Sequence, residues 1–294
     1  MFWQLLANGL VTGSVIAIAA VGVSLVYGIL RLVNFAYGDY MAFGALAAYE
    51  FNGPLGLGIV VSVVLGMVST AVLSVALDFA LWRPLRARRA GFMSLFLASI
   101  GLALVLRQVL LLAYGPQPQT YAVDQYKVYV IGSVRLSEPQ FITIVVAAGA
   151  IGVIGVLLAR TSVGRTMRAL ADDRALAAIS GIHVGRVIRY TWLVSGLLAG
   201  LAGVLAGLVQ SSFDPNFGFQ LLLPVFAAVV LGGIGSAYGA LAGGLVLGLA
   251  MELSTWPSLF GGVDPVYKPV VAFAILAAAL MVRPQGLFGR ARVV

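Results

Sequence analysis

The sequence has no cysteine, one histidine and only two lysines among 294 residues. Without cysteine there is no disulfide and no thiolate metal site. A lone His183 does not build a histidine metal cluster. Lys127 and Lys268 neither follow a glycine nor precede Ser or Thr, so a P-loop is absent and this chain does not hydrolyse ATP by that route. Neither lysine follows an aspartate, which removes the aspartyl-phosphate signature of ion pumps. No H-E-x-x-H run and no paired intramembrane carboxylates suggest a protease. No catalytic residue, metal or cofactor is therefore expected.

Charge is scarce as well. Charged residues make up 10% of the chain and apolar ones 61%, with a mean hydropathy of +1.05. Soluble domains carry roughly 25% charged and 45–50% apolar residues. So few polar groups cannot clothe a water-facing surface, and much of this surface must face lipid. The net charge of +8 could suggest nucleic acid. However, 16 of the 18 basic residues are arginines, most in short segments between apolar runs, and they form no stripe along one face. Nucleic acid is not an expected partner, whereas membrane lipid is.

A crossing of the hydrocarbon core takes about 20 apolar residues. Clear spans are Leu5–Leu30, Leu55–Leu81, Phe92–Tyr114, Phe141–Ala159, Tyr190–Ser211 and Val266–Val282. The first lacks a basic region before it and is too long for the apolar core of a signal peptide, so it is read as a retained helix. Tyr40–Phe51 is short. Leu221–Trp256 is too long for one crossing and breaks at Gly232–Gly239. Arginines concentrate at 83–89, 160–189 and 283–292, while 114–139 and 256–266 are poor in charge. The positive-inside bias places the arginine-rich segments in the cytoplasm and the N-terminus outside. The expected fold is an all-α polytopic transmembrane helix bundle of 8–9 spans, some short or re-entrant. It forms one domain over 1–294, whose longest cytoplasmic segment is 160–189.

Isolated charges are expected at the membrane interfaces: Asp78 near Arg83, Asp264 with Lys268, and Glu252 near the outer edge. Arg107 is expected to snorkel. Glycines spaced by four, as at 196/200, 239/243 and 244/248, predict close helix packing. A break at Asn34–Asp39 is echoed at Asp214–Gly218, which either duplication or chance between apolar sequences would produce.

Two segments carry functional expectations. Asn34, Phe35, Tyr37, Gly38 and Asp39 interrupt two apolar runs. Both a wall of a solute pathway and an ordinary turn capped by Asp39 fit that pattern. In 160–189, Asp172 is placed to cap a short helix and Gly181 to end it. Leu176 and Ile179 would project from one side, rimmed by Arg165, Arg168 and Arg174. An apolar knob with a charged rim suits docking into a groove on another protein. A helix lying on anionic lipid is the alternative, and the adjacent acids Asp172 and Asp173 weigh against it.

Four stretches together resemble the LivH-type permease subunit of the branched-chain (hydrophobic) amino acid ABC importer family, over essentially the whole chain. They are Asn34–Met41, Gly164–Ala169 followed by Asp172–Val187, Val230–Ala240, and Arg283–Gly289. The family commonly has His where Tyr37 stands. The resemblance implies a second permease (LivM-like, or a second copy), two cytoplasmic ATP-binding subunits and an extracytoplasmic solute-binding protein. It implies a multi-pass protein of the cytoplasmic (inner) membrane, whose arginine-rich C-terminus the positive-inside bias places in the cytoplasm. It also implies that Arg165, Arg168, Asp172, Asp173, Leu176, Ile179 and Gly181 form the element touching an ATPase. Importers of urea and short amides share this permease type. A secondary carrier or channel working without an ATPase is a further alternative.

Overall fold

The computed structural model describes residues 2–123, 127–257, 262–283 and 285–288. Arg290 and Arg292 of the basic tail, and Pro284 and Gly289 of the last motif, lie outside them. In lipid no water satisfies backbone N–H and C=O groups, so the apolar runs close their own hydrogen bonds as helices. These are α1 (Phe2–Leu30), α2 (Tyr37–Asn52), α3 (Ile59–Leu77) and α5 (Phe92–Tyr114). A π-helical turn, Asp78–Trp82, joins α3 to α4 (Arg83–Ala87). Then come α6 (Glu138–Arg160), α7 (Ser162–Asp172), α8 (Arg174–Ile179) and α9 (Val184–Gln210). The chain ends with α10 (Phe217–Gly232), α11 (Ala237–Leu253) and α12 (Lys268–Val282).

Among the described residues, six helical segments are long and apolar enough to cross a membrane, and α10 and α11 are shorter apolar helices. The expected break at Gly232–Gly239 is present: Gly233 and Gly235 take positive φ, and the Ser236 hydroxyl caps α11 by accepting from the Gly239 N–H. The all-α expectation needs one correction. Strands β1 (Val128–Ile131) and β2 (Val134–Ser137) pair antiparallel as a hairpin before α6. β-branched and aromatic residues in 128–134 favour the strand over another helix. The hairpin is anchored by Gln4, whose side-chain amide exchanges two hydrogen bonds with the Arg135 backbone.

Helices α1 and α9 form the centre and are buried along most of their length. α1 packs antiparallel to α11, with Gly13 beside Leu245 and Gly28 beside Gly235. α9 packs antiparallel to α3, where Gly196 faces Ala71 and Gly200 faces Met67. The glycines spaced by four thus supply close helix packing, as expected.

The echo between the two breaks is structural. α1 ends at Leu30, Arg31 takes φ 53°, and a 16-residue helix starts at Tyr37. α9 ends at Gln210, Ser211 takes φ 63°, and a 16-residue helix starts at Phe217. Residue by residue the offset is 180. At the crossing of α2 and α10, a Cβ on Gly38 would strike the Gly218 carbonyl, and one on Gly218 would strike the Gly38 carbonyl. α9 begins at the end of the bundle where α1 finishes: Arg31 donates to the Ala171 carbonyl of α7, which leads through the six-residue α8 directly into α9. The two units, α1–α3 and α9–α11, therefore form an inverted repeat. Apolar sequence hides this, because only the turn residues distinguish the copies.

Candidate functional site: the intramembrane break and the arginine-rich end

The break at 31–36 is non-helical backbone that runs from the exposed Arg31 into the bundle. Asn34, Tyr37, Gly38 and Asp39 are buried, and Phe35 is half-buried. Ala36 occupies the N-cap of α2 with no side-chain cap, so Asp39 does not cap this helix. Asn34 instead folds its carboxamide oxygen onto the Ala36 N–H at 3.2 Å. The Tyr37 hydroxyl donates to the Ser195 carbonyl of α9 at 3.2 Å. The Ser195 hydroxyl in turn reaches the Gly22 carbonyl of α1 at 3.1 Å. Tyr37 thus ties the break to both central helices.

Asp39 is held from α5. Its Oδ1 accepts from Arg107 Nε at 3.1 Å and its Oδ2 from Nη2 at 3.4 Å. The two side chains are 1% and 14% exposed. The guanidinium lies over the Phe219 ring of α10 at 4.3 Å from its centroid. Arg107 therefore does not snorkel. A two-point ion pair with a desolvated carboxylate outcompetes the interface, and the aromatic face adds a cation–π contact. Sequence spacing missed this pair because 68 residues separate its members. The available signal was that each is a lone charge of opposite sign inside an apolar segment. Phe35 fills the neighbouring space, packing its ring against Phe96 at 5.2 Å and Phe226 at 5.1 Å.

The other isolated charges pair differently from expectation. Asp78 bonds Arg86 at 2.6 Å, while Arg83 stacks over Phe79. Lys268 bonds Glu252 at 2.6 Å, and Thr12 of α1 donates to the same carboxylate oxygen at 3.2 Å. Asp264 caps a short turn by accepting from the Val266 N–H. In the charge-poor segment after α5, Tyr121 donates to the Ala45 carbonyl at 2.9 Å, and burial raises its pKa well above the ordinary tyrosine value.

The segment 160–189 carries two short helices where one was expected. α7 is strongly amphipathic and buries Met167 and Leu170; Arg168 caps α6 by donating to the Leu158 carbonyl. Arg165 lies on its exposed side. Asp172 is the last residue of α7, and Asp173 caps α8, its Oδ1 accepting from the N–H groups of Ala175 at 2.8 Å and Leu176 at 2.9 Å. The cap falls one residue later because Asp173, not Asp172, has the extended backbone a cap requires. Gly181 ends α8 as expected. With φ 85° it lets its own N–H reach the Ala178 carbonyl and that of Ile182 reach the Ala177 carbonyl. Leu176 and Ile179 are 59% and 82% exposed.

Residues 5–280 match the family model described as branched-chain amino acid transport system / permease component. The chain belongs to this family. It is 32% identical to the high-affinity branched-chain amino acid transport system permease protein LivH of Escherichia coli (strain K12), over 99% of this chain and 97% of that one. It is 30% identical to the BraD permease protein of the corresponding high-affinity system in Pseudomonas aeruginosa, with the same coverage. Among solved structures, "PsaBC from Streptococcus pneumoniae in complex with Fab" aligns with a TM-score of 0.51 and 18% identity, covering 97% of this chain and 94% of that one. That likeness extends to the fold. The permease is a multi-pass inner-membrane protein, and its buried break and the short helices of 160–189 belong to the part the family model covers.

Proposed function

We propose that this permease forms half of the pathway of an ATP-driven importer for branched-chain or other hydrophobic amino acids. The relatives' named substrates support the solute class. The pore is completed by a second, LivM-like permease or a second copy, powered by two ATP-binding subunits and fed by an extracytoplasmic solute-binding protein. ATP hydrolysis belongs to the partners, as no P-loop is present. The chain crosses nine times as one domain, counting α2, α10 and α11 with the six long spans. The positive-inside bias supports an external N-terminus and a cytoplasmic C-terminus.

The observation that carries this reading is α8. A helix of six residues, capped at both ends, presents two large apolar side chains to solvent at the arginine-rich end. Such a knob costs solubility unless a partner groove receives it. Arg165, Arg168, Asp172, Asp173, Leu176, Ile179 and Gly181 are assigned to that coupling element. Closure of the ATPase pair would move α7 and α8, and with them α6 and α9. The half-exposed Phe35 reaches the pathway, while Asn34, Tyr37, Gly38 and Asp39 hold its wall from behind. Reconstituting the permease with its partners and measuring leucine uptake and ATP hydrolysis together tests the proposal. Transport by a complex lacking any ATPase, or hydrolysis indifferent to loaded receptor, would refute it.

A further inference from the structure

At the arginine-rich end, a cavity of about 660 Å³ opens between the α3–α4 junction and the start of α9. Its size is ordinary for a small-ligand pocket, about 300–1,000 Å³. Its charge is not ordinary. Arg83, Arg86, Arg174, Arg186 and Arg189 line it against a single carboxylate, Asp78. Asp78 is already bonded to Arg86 Nη2, and Arg86 Nη1 is buried with no hydrogen-bond partner. Among the described residues, the other four arginines have no carboxylate within 4.0 Å. The first turn of α9, Val184–Arg186, forms part of the wall, and its N-cap His183 contributes no side-chain cap. The N–H groups of Val184 and Gly185 and the positive end of a 27-residue helix dipole add to the guanidiniums, while the Arg186 N–H is taken by the His183 carbonyl.

Apolar groups adjoin this charge. Phe79 and Ile188 are in the same wall. Along α3, Val60, Val64, Val68 and Val72 are exposed at four-residue spacing, and Phe79 continues that side chain row toward the cavity. An apolar stripe ending at a basic cavity complements an amphiphile: acyl chain along the helix, anionic head among the arginines. We infer that this cavity is a binding site for the phosphodiester headgroup of an anionic phospholipid. Phosphate oxygens satisfy the arginine forks two at a time and offer acceptors to the α9 N–H groups, and the glycerol backbone spans to Phe79. Bound there, the lipid clamps the start of α8, through Arg174, to the α3–α4 junction. The inference is independent of how the importer is powered.

The test is native mass spectrometry of the full-length permease released from nanodiscs of equal parts phosphatidylglycerol and phosphatidylcholine. The permease should retain phosphatidylglycerol preferentially. Each removed guanidinium should weaken retention about fivefold, so Arg186→Gln with Arg189→Gln loses about 25-fold. Arg186→Lys with Arg189→Lys keeps the charge, loses only the forked geometry and stays nearer the original protein. Arg83→Gln with Arg174→Gln provides a second pair should the first fail to fold. Arg88→Gln with Arg160→Gln removes equal charge at the same end outside the cavity and should change nothing. Equal losses in the cavity pairs and this control would reduce the effect to general surface charge and overturn the site. Displacement by inorganic phosphate alone would reassign it to a soluble anion. Loss of the lipid whenever ATPase subunits co-purify would reassign it to a protein partner.

Discussion

The pair between Asp39 and Arg107 offers the sharpest test of the physical reasoning. Asp39→Asn leaves a guanidinium with 14% exposure facing a neutral amide, and Arg107→Gln leaves a carboxylate with 1% exposure facing one. Removing one member of a buried pair strands the other charge, at a cost of about 3–5 kcal/mol. The double variant removes both charges and their desolvation cost, so it should cost less than the two single losses summed. A coupling of about 2–4 kcal/mol is expected for charges this close and this buried. Arg107→Gln should be the worse single change, because it also loses the stacking on Phe219, worth about 1–2 kcal/mol when desolvated. Thermal unfolding in detergent, followed by tryptophan fluorescence, reads these differences. At about 2–4 °C per kcal/mol, each single variant should melt roughly 6–20 °C lower, and the double variant's loss should fall about 4–16 °C short of the two single losses summed. Additive losses, or single variants within about 1 °C of the original, would mean that the pair is hydrated and that the intramembrane reading of Arg107 is wrong.

Other predictions test separate links. Leu176→Asp with Ile179→Asp should preserve folding and abolish leucine uptake while ATP hydrolysis continues; unchanged uptake in proteoliposomes removes α8 from the coupling element. Asp173→Ala should cost α8 about 1 kcal/mol of cap energy, read as roughly fivefold faster amide exchange over residues 174–180. Gly218→Ala forces a methyl into the Gly38 carbonyl and should cost about 1–3 kcal/mol in the same melting assay, whereas Gly101→Ala, with open space around it, should be neutral. Tyr37→Phe removes one hydrogen bond to Ser195 and should lower stability by about 1 kcal/mol without changing the fold, as monitored by melting and size-exclusion chromatography.

Sequence alone settled the solvent. With 10% charged residues the chain must present its side chains to lipid, and long apolar runs in lipid have no choice but to be helices. It also placed a short helix between Asp172 and Gly181, because a capping aspartate and a terminating glycine are local devices legible within a few residues. The exact cap escaped by one position, since Asp172 and Asp173 differ only in backbone conformation. The β-hairpin escaped because four-residue strands carry too little pattern to outweigh a helical neighbourhood. The pairing of charges on different helices was decided by tertiary structure alone. Asp39 and Arg107, and likewise Glu252 and Lys268, are far apart in the chain and meet only when the helices pack. The inverted repeat belongs to the same class. Lipid-facing positions accept any apolar residue and so erase the likeness between copies. The positive φ at Arg31 and Ser211 and the reciprocal contact of Gly38 with Gly218 are backbone facts, visible only once both breaks stand in space.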